Sequence, residues 1–299
     1  MKIVLAGGSG FIGTHLVSHF QKRGDELILL SHSKKEGTHF WDPEKKQIDP
    51  SLLDGADVVI NLAGESILGR WNQEKMEKIR ESRFSSTRFL CETLLTQPTL
   101  PKFYLNASAV GFYGDRGEEV LTEMSSSGHG YLSEVCRTWE SIPNLLEEQG
   151  VRVAFARFGL VLGRGGGALE KMEKPFRMGM GGTLGSGKQY MSWIAIEDVI
   201  GGIDHLIAHT ELSGPVNFVA PSSITNKEFT EILAKTLHKP SPIPIPKFLL
   251  SMIFGSGAEV FLASLRAHPE RLLKSGYTFQ YPDLGPALEK YLHRKEEIG

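Results

Sequence analysis

Residues Lys2–Gly13 read KIVLAGGSGFIG, a short apolar run that passes directly into three glycines spaced Gly7-x-x-Gly10-x-x-Gly13. Lys2–Ala6 reads as a strand and Phe11–Arg23 as the helix after it. Glycines at such a junction permit a tight turn and let backbone N–H groups approach a pyrophosphate at the helix N-terminus. A strand–helix turn that binds nothing needs glycine too. The pattern downstream therefore has to carry the argument.

That pattern continues as an alternation of short apolar runs and helical stretches. Glu26–Leu30, Asp57–Asn61, Phe103–Ala107 and Val151–Ala156 are the next candidate strands, with helices over Trp71–Leu95 and Tyr131–Glu148. A further strand, Val216–Ala220, follows a helix starting near Glu197. Strands separated by helices predict an α/β fold, a Rossmann-type doubly wound parallel sheet with helices on both faces. Two stretches break the rhythm. Gly163–Ser192 is glycine-rich and carries Lys171, Lys174, Arg177 and Lys188, which suggests a mobile, basic excursion. Pro240–Pro246, reading PSPIPIP, cannot form a helix interior and reads as an extended linker. Residues 1–219 are thus expected to form the nucleotide-binding domain and 246–293 a smaller, mostly helical C-terminal lobe on the substrate side.

The chain has 299 residues, 40% hydrophobic and 23% charged, enough for a large buried core. Its net charge of −2 gives no electrostatic reason to expect nucleic acid or an anionic membrane as partner. Cys91 and Cys136 match no metal-ligand spacing, and a reduced, cytoplasmic protein is the simple reading. The first residues carry no basic, leader-like segment. The apolar stretch Phe248–Leu265 is interrupted by Gly255, Gly257 and Glu259, so it predicts an amphipathic or packed helix.

The end of the second strand selects the nucleotide. A carboxylate there takes the ribose 2′-OH of NAD, whereas a basic or hydroxyl-bearing loop accepts the 2′-phosphate of NADP(H). Here Leu30 is followed by Ser31-His32-Ser33-Lys34-Lys35, with no acidic residue before Glu36, which favours NADP(H) over a merely solvated turn. After the third strand, Asn61-Leu62-Ala63-Gly64 is a small-residue turn suited to lying against a dinucleotide. Met76, Ile79, Arg83, Leu90 and Leu94 share one stripe of the following helix. An arginine on such a stripe needs a partner: a cofactor phosphate or ribose, or a structural carboxylate.

Taken together, the motifs resemble the extended short-chain dehydrogenase/reductases. Longer stretches sharpen the resemblance over essentially the whole chain: NLAGESI (Asn61–Ile67), SAVGFYG (Ser108–Gly114), VCRTWE (Val135–Glu140), RFGLVLGRGGGAL (Arg157–Leu169) and PFRMGMGGTLGSGKQYMSWIAIEDV (Pro175–Val199). They are similar to an atypical, nucleoside-diphosphate-sugar-epimerase-like subgroup with a C-terminal domain of unknown function. The resemblance implies that NADP(H) touches Gly7, Gly10, Phe11, Ile12 and Gly13, then Ser31 and His32, with Leu62, Ala63, Arg83, Gly159 and Leu160 completing the site. It also implies a homodimer paired through the two long helices.

Ordinary members of that superfamily pair a tyrosine with a lysine four residues on, on one helix face. The tyrosine exchanges a proton with the substrate oxygen, and the lysine lowers its pKa and holds the nicotinamide ribose. Here the register set by Glu140 puts Leu132 and Cys136 in those places. Tyr131 is followed four residues later by Val135, and Tyr291-x-x-x-Lys295 lies at the C-terminus. Ser108 and Tyr113, both close after the fourth strand, are the candidate catalytic residues. Glu65, Ser66 and Arg70 are expected to face a substrate from one side, with Lys188 and Trp193 on the other. Two readings remain. One is an NADP(H)-dependent oxidoreductase or epimerase-like enzyme acting on a small molecule. The other is a non-catalytic NADP(H)-dependent sensor or interaction protein.

Overall fold

The computed structural model describes residues 1–33, 36–241 and 244–293. Lys34 and Lys35, Pro242 and Ile243 of the proline-rich stretch, and Lys295 of the C-terminal tyrosine–lysine pattern lie outside the described residues. From the N-terminus the chain forms β1 (Lys2–Ala6), α1 (Phe11–Arg23), β2 (Glu26–Ser31), β3 (His39–Phe40), β4 (Val58–Asn61), α2 (Gln73–Leu95) and β5 (Phe103–Ala109). It continues through β6 (Val120–Leu121), α3 (Tyr131–Ser141), α4 (Asn144–Glu147), β7 (Arg152–Phe158), β8 (Leu160–Leu162), α5 (Gly167–Arg177), β9 (Tyr190–Met191), β10 (Trp193–Ala195), α6 (Ile196–Ala208) and β11 (Gly214–Phe218). The remainder is β12 (Ile224–Thr225), α7 (Asn226–Thr236), α8 (Lys247–Phe254), α9 (Glu259–Leu262), β13 (Arg266–Ala267), α10 (Glu270–Lys274) and α11 (Leu284–Leu292).

Seven strands form one sheet in the order β11-β7-β5-β4-β1-β2-β3, with every neighbouring pair parallel. Alternation along the strands feeds two cores. Ile3 and Leu5 pack with Leu16 and Phe20 of α1 and Val199 and Ile203 of α6, while Val4 and Ala6 pack with Leu90 and Leu94 of α2. This is the expected Rossmann-type arrangement. With both faces covered, the open ground is the crest at the carboxyl ends of the strands.

Several boundaries differ from the sequence reading. The helix expected over Tyr131–Glu148 is broken into α3 and α4, because Pro143 has no N–H to continue the ladder. Asn72 starts α2 later than expected by accepting the Lys75 amide at 2.8 Å. The final sheet strand begins at Gly214, two residues early. The glycine-rich stretch, expected as a mobile, basic excursion, includes a regular element. It contains α5, whose Leu169 and Phe176 are buried, and Gly181 leaves room for the Phe176 ring. The apolar stretch after residue 247 divides at Gly255 into α8 and α9, and only Leu250 of α8 is buried. Among the described residues, no helix is long and apolar enough to cross a membrane.

The C-terminal helical region is tied to the sheet at several places. Leu284, Ala287, Leu288 and Tyr291 of α11 join the core beside α7. At β11, Asn217 Nδ2 donates to the His268 carbonyl at 2.9 Å and Arg271 Nη1 to the Pro215 carbonyl at 2.8 Å. A further tie is at the loop after β4, where the Trp71 amide donates to the Phe254 carbonyl at 2.9 Å; the Trp71 indole N–H is held by the Ile67 carbonyl at 2.7 Å. Gly257 lies so close that an added Cβ would sit 2.8 Å from the indole. The C-terminal region therefore flanks the crest on the β4 side.

Candidate functional site

The turn after β1 is built for close approach. Gly7 has φ +85°, and a Cβ there would stand 2.7 Å from the Leu62 carbonyl carbon and oxygen. A Cβ on Gly13 would lie 2.3 Å from the Gly7 carbonyl oxygen. Gly10 precedes α1 with no side-chain cap, and the first turn of α1 carries no acidic residue. Its leading N–H groups and the positive end of the helix dipole are thus available to an anion. The loop after β8 covers this helix start, with Gly163, Gly166 and Gly167 packed against the Phe11 ring. Ile12 packs against the core.

Around this turn the neighbouring strand ends add polar and small groups. At β2, the Ser31 hydroxyl accepts the Ser33 amide at 3.2 Å, and exposed His32 lies with its ring 6.0 Å from that of Trp41. At β4, the Leu62 amide donates to the Ala6 carbonyl at 2.9 Å, and the Ala63 amide to Asn61 Oδ1 at 3.2 Å. Asn61 is itself held, donating to Thr87 at 2.8 Å and Asn106 at 3.0 Å. A Cβ on Gly159 would lie 2.6 Å from the Ser192 carbonyl oxygen, and Leu160 follows it into β8. The glycines, Phe11, Ile12, Leu62 and Ala63 thus meet at one crest, with Ser31 and His32 at the adjacent strand end.

Arg83 also reaches this crest. Its Nη1 donates to the carbonyls of Glu65 at 3.0 Å and Ile79 at 2.9 Å. Its guanidinium carbon lies 5.1 Å from the Trp139 ring centroid. Burial holds its pKa below the usual arginine value. The sequence left its partner open between a ligand and a structural carboxylate. Among the described residues, no carboxylate lies within ion-pair distance of it.

The expected catalytic residues stand differently. Tyr113 is fully buried, and its hydroxyl donates to Asn217 Oδ1 at 2.7 Å while accepting from Arg157 Nη1 at 3.0 Å. Ser108 donates to Glu140 Oε1 at 2.6 Å. Glu140 in turn receives Arg157 through Nε at 2.8 Å and Nη2 at 2.7 Å. Ser108, Glu140, Arg157, Tyr113 and Asn217 therefore form one continuous buried network. Sequence reasoning missed it, using Glu140 only as a register mark. The available signal was an acidic residue on the otherwise apolar stripe of Val135, Cys136 and Trp139.

Cys136, in the usual lysine place, is buried against Ser108 and the Ala109 backbone, and burial pushes its thiol up to about 11. Leu132, in the usual tyrosine place, packs beside Gly111. The Tyr131 hydroxyl is committed to the Met76 carbonyl. Of the residues expected to face a substrate, Glu65 pairs with Lys75 and Lys188 is exposed. Trp193, expected opposite them, is instead in the core, its indole N–H without an acceptor among the described residues.

Residues 3–219 match the family model described as NAD dependent epimerase/dehydratase family. The chain belongs to this family. Residues 245–291 match a second model, a domain of unknown function, DUF1731. Among curated relatives, the epimerase family protein YfhF of Bacillus subtilis is 34% identical over 304 residues, covering 100% of both chains. The human epimerase family protein SDR39U1 is 35% identical over 97% of this chain and 99% of its own. A crystal structure of human SDR39U1 with NADPH superposes with a TM-score of 0.91 at 34% identity, covering 97% of this chain and 98% of that one. A nucleoside-diphosphate sugar epimerase from Corynebacterium glutamicum matches at 38% identity and a TM-score of 0.81, covering 96% of this chain and 57% of its own. The UDP-glucuronic acid 4-epimerase of Bacillus cereus, at 15% identity and a TM-score of 0.79, shares the fold.

Proposed function

We propose that this epimerase-family chain binds NADP(H) across the crest of its sheet and acts as an oxidoreductase or epimerase-like enzyme on a small carbonyl, alcohol or nucleotide-sugar substrate. The observation that carries the reading is the cradle at Gly7 and Gly13, where side chains are excluded by contact, followed at Gly10 by a helix start with no side-chain cap and no acidic residue in its first turn. The human relative crystallised with NADPH, similar over nearly its whole length, supports the same nucleotide. In this reading α1 holds the pyrophosphate, Ser31 and His32 take the 2′-phosphate, and Leu62, Ala63, Gly159 and Leu160 flank the dinucleotide. When bound, NADP(H) supplies a hydride donor or acceptor at its nicotinamide ring. Two buried, unpaired thiols fit a cytoplasmic protein.

Proton handling has to be unusual. The Tyr113 hydroxyl is sealed from solvent and bonded twice, so we assign it to holding Arg157 rather than to chemistry. Ser108 lies at the carboxyl end of β5, but its proton is engaged by Glu140, so it serves a substrate oxygen only on leaving that carboxylate. Slow turnover follows. The apolar filling at Leu132 and Cys136 favours a second reading, in which nucleotide is held without turnover to report redox poise to a partner.

Calorimetric titration of nucleotide-stripped protein with NADPH, NADP⁺, NADH and NAD⁺ tests the cofactor, with NADPH and NADP⁺ expected to bind most tightly. No binding by any of the four overturns the proposal. Substrate-dependent oxidation of bound NADPH across a metabolite panel supports the enzyme. Silence there, with partner capture that differs between NADPH and NADP⁺, supports the second reading.

A further inference from the structure

We propose that the exposed apolar stripe of α8 is covered by a second copy of this chain. The two copies join face to face, and lysines beside each stripe meet carboxylates of the other copy. Such pairing does not depend on nucleotide binding.

In α8, Phe248, Leu249, Met252 and Ile253 fall at i, i+1, i+4 and i+5, which sets them along one side of the helix. They are 67%, 38%, 66% and 51% exposed, and Leu250 is the helix's one buried residue. A helix this short gains its stability from packing, and little of α8 is packed. A second pair of apolar side chains lies next to it. The Ile245 amide donates to the Thr183 carbonyl at 2.7 Å, and the Gly185 amide to the Ile245 carbonyl at 2.8 Å. The segment that carries Met178 and Met180, 63% and 59% exposed, therefore arrives beside the entry to α8. These six side chains are half of the large apolar ones exposed among the described residues, so that surface is concentrated here rather than scattered. Concentrated apolar surface marks an interaction site.

Charge selects the partner. Lys247 opens α8 and lines a cleft with Lys188, Asp115 and Glu118. All four are exposed, and none has an ion-pair partner among the described residues. Asp115 Oδ1 accepts the Gly117 and Ser264 amides, both at 3.2 Å, which fixes that carboxylate without neutralising it. Unpaired cations and unpaired carboxylates side by side suit neither a purely anionic nor a purely cationic partner. They suit a copy of the same surface, because a two-fold contact is self-complementary and sets the cations of each copy on the carboxylates of the other. An anionic membrane would meet two carboxylates beside the lysines. The outward face of α2, where pairing through the long helices would place the contact, is charged instead. Its Glu74–Lys78 and Glu77–Arg80 pairs close within the helix at 2.6 and 2.5 Å, and charged residues are depleted from interface centres. A contact of standard size takes about 800 Å² from each copy. The six apolar side chains supply its centre and the four charges its edge.

Sedimentation of the full chain over a dilution series tests this. Wild type is expected to approach twice the chain mass as concentration rises. Phe248→Ser combined with Met252→Ser should weaken pairing by about tenfold or more, the weight of two anchors at an interface centre. Two charge variants should each weaken it as well, because like charges then face each other. One is Lys188→Glu with Lys247→Glu. The other is Glu118→Lys with Asp115→Asn, which keeps the oxygen that holds the two amides. Mixing the two charge variants should restore pairing, since each copy then offers the charge the other lacks, and that recovery also shows that both are folded. The charge variants decide if a melting curve shows the serine variant unfolded. Wild type that stays at the chain mass throughout overturns the inference, and binding of that monomer to phosphatidylserine vesicles would give the stripe to a membrane. Unchanged pairing in a folded serine variant places the contact elsewhere, on the long helices for instance, and overturns it too. So does a mixture of charge variants that pairs no better than either alone.

Discussion

Glu140→Ala is expected to be among the costly substitutions in this chain, because it strands a buried charge. Arg157 is 3% exposed and Glu140 9%. The guanidinium gives two hydrogen bonds to the carboxylate and one to the Tyr113 hydroxyl, and its carbon lies 3.5 Å from the Phe112 ring centroid. Burial by itself pulls the Arg157 pKa down, and the Glu140 carboxylate more than reverses that, leaving it raised. Without Glu140 the remaining partners are neutral. Breaking one side of such a pair costs about 3–5 kcal/mol. At the usual unfolding entropy per residue, that is a fall in Tm of about 5–8 °C for a chain of this length. Scanning calorimetry at neutral pH measures it. Glu140→Leu combined with Arg157→Met should recover most of the loss, because an apolar pair of similar volume avoids the burial of charge. A single variant that melts within about 1 °C of wild type, or a double variant no more stable than the single, would refute the view that this pair is the network's anchor.

Three further outcomes follow from individual contacts. Gly13→Ala places a methyl 2.3 Å from the Gly7 carbonyl oxygen and 2.7 Å from the Gly8 Cα, so the turn has to open. A loss of about 1–3 kcal/mol in thermal stability and at least tenfold weaker NADPH binding are expected, and unchanged titrations would contradict the cradle. Glu123 is 4% exposed, with Oε1 accepting the Asn217 and Arg271 amides and Oε2 unpartnered among the described residues; burial raises its pKa. A carboxylate raised by folding costs stability at pH above its folded pKa, and the cost fades as pH falls through that value. The stability difference between Glu123→Gln and wild type should therefore move in the variant's favour as pH rises from the ordinary carboxylate range, and a flat or opposite trend in paired melts counts against it. Burial pushes the Cys91 thiol up to about 12 and that of Cys136 up to about 11. A colorimetric thiol titration at pH 8 should therefore find neither in the native protein and both after denaturation, and a native thiol that reacts in wild type but not in Cys136→Ser would show that the lysine's place is open.

The parts of the fold legible in the sequence were those with a local cause. Lys2–Gly13 sets a strand, a turn and a helix start within twelve residues, and β2, β4 and β5 followed from short apolar runs within a residue or two of their ends. Glycine content misled the reading of Gly163–Ser192, where Leu169, Met172 and Phe176 fall at helical spacing and form the buried face of α5. Pro143 was a sufficient signal for the break between α3 and α4. The buried network was less accessible. Glu140 and Arg157 meet only because β5 and β7 are neighbours and α3 crosses between them in sequence. No spacing rule within one element encodes that meeting.

The two arginines at this end of the sheet separate structure from ligand binding more clearly than either does alone. Arg157 and Arg83 both lose hydration on folding, and both lie close to aromatic rings. For Arg157 the protein supplies a carboxylate that takes two of its donors and a phenol that takes a third. Its charge is spent inside the fold. For Arg83 the protein supplies two carbonyls, both on the same nitrogen, and no carboxylate within reach among the described residues. The pKa shifts run in opposite directions, raised at Arg157 where the hydrogen-bonded Glu140 carboxylate outweighs burial and lowered at Arg83 where burial outweighs the more distant Glu65 charge. The fold thus matches one buried cation with a carboxylate and a phenol and leaves the other, among the described residues, with backbone carbonyls alone.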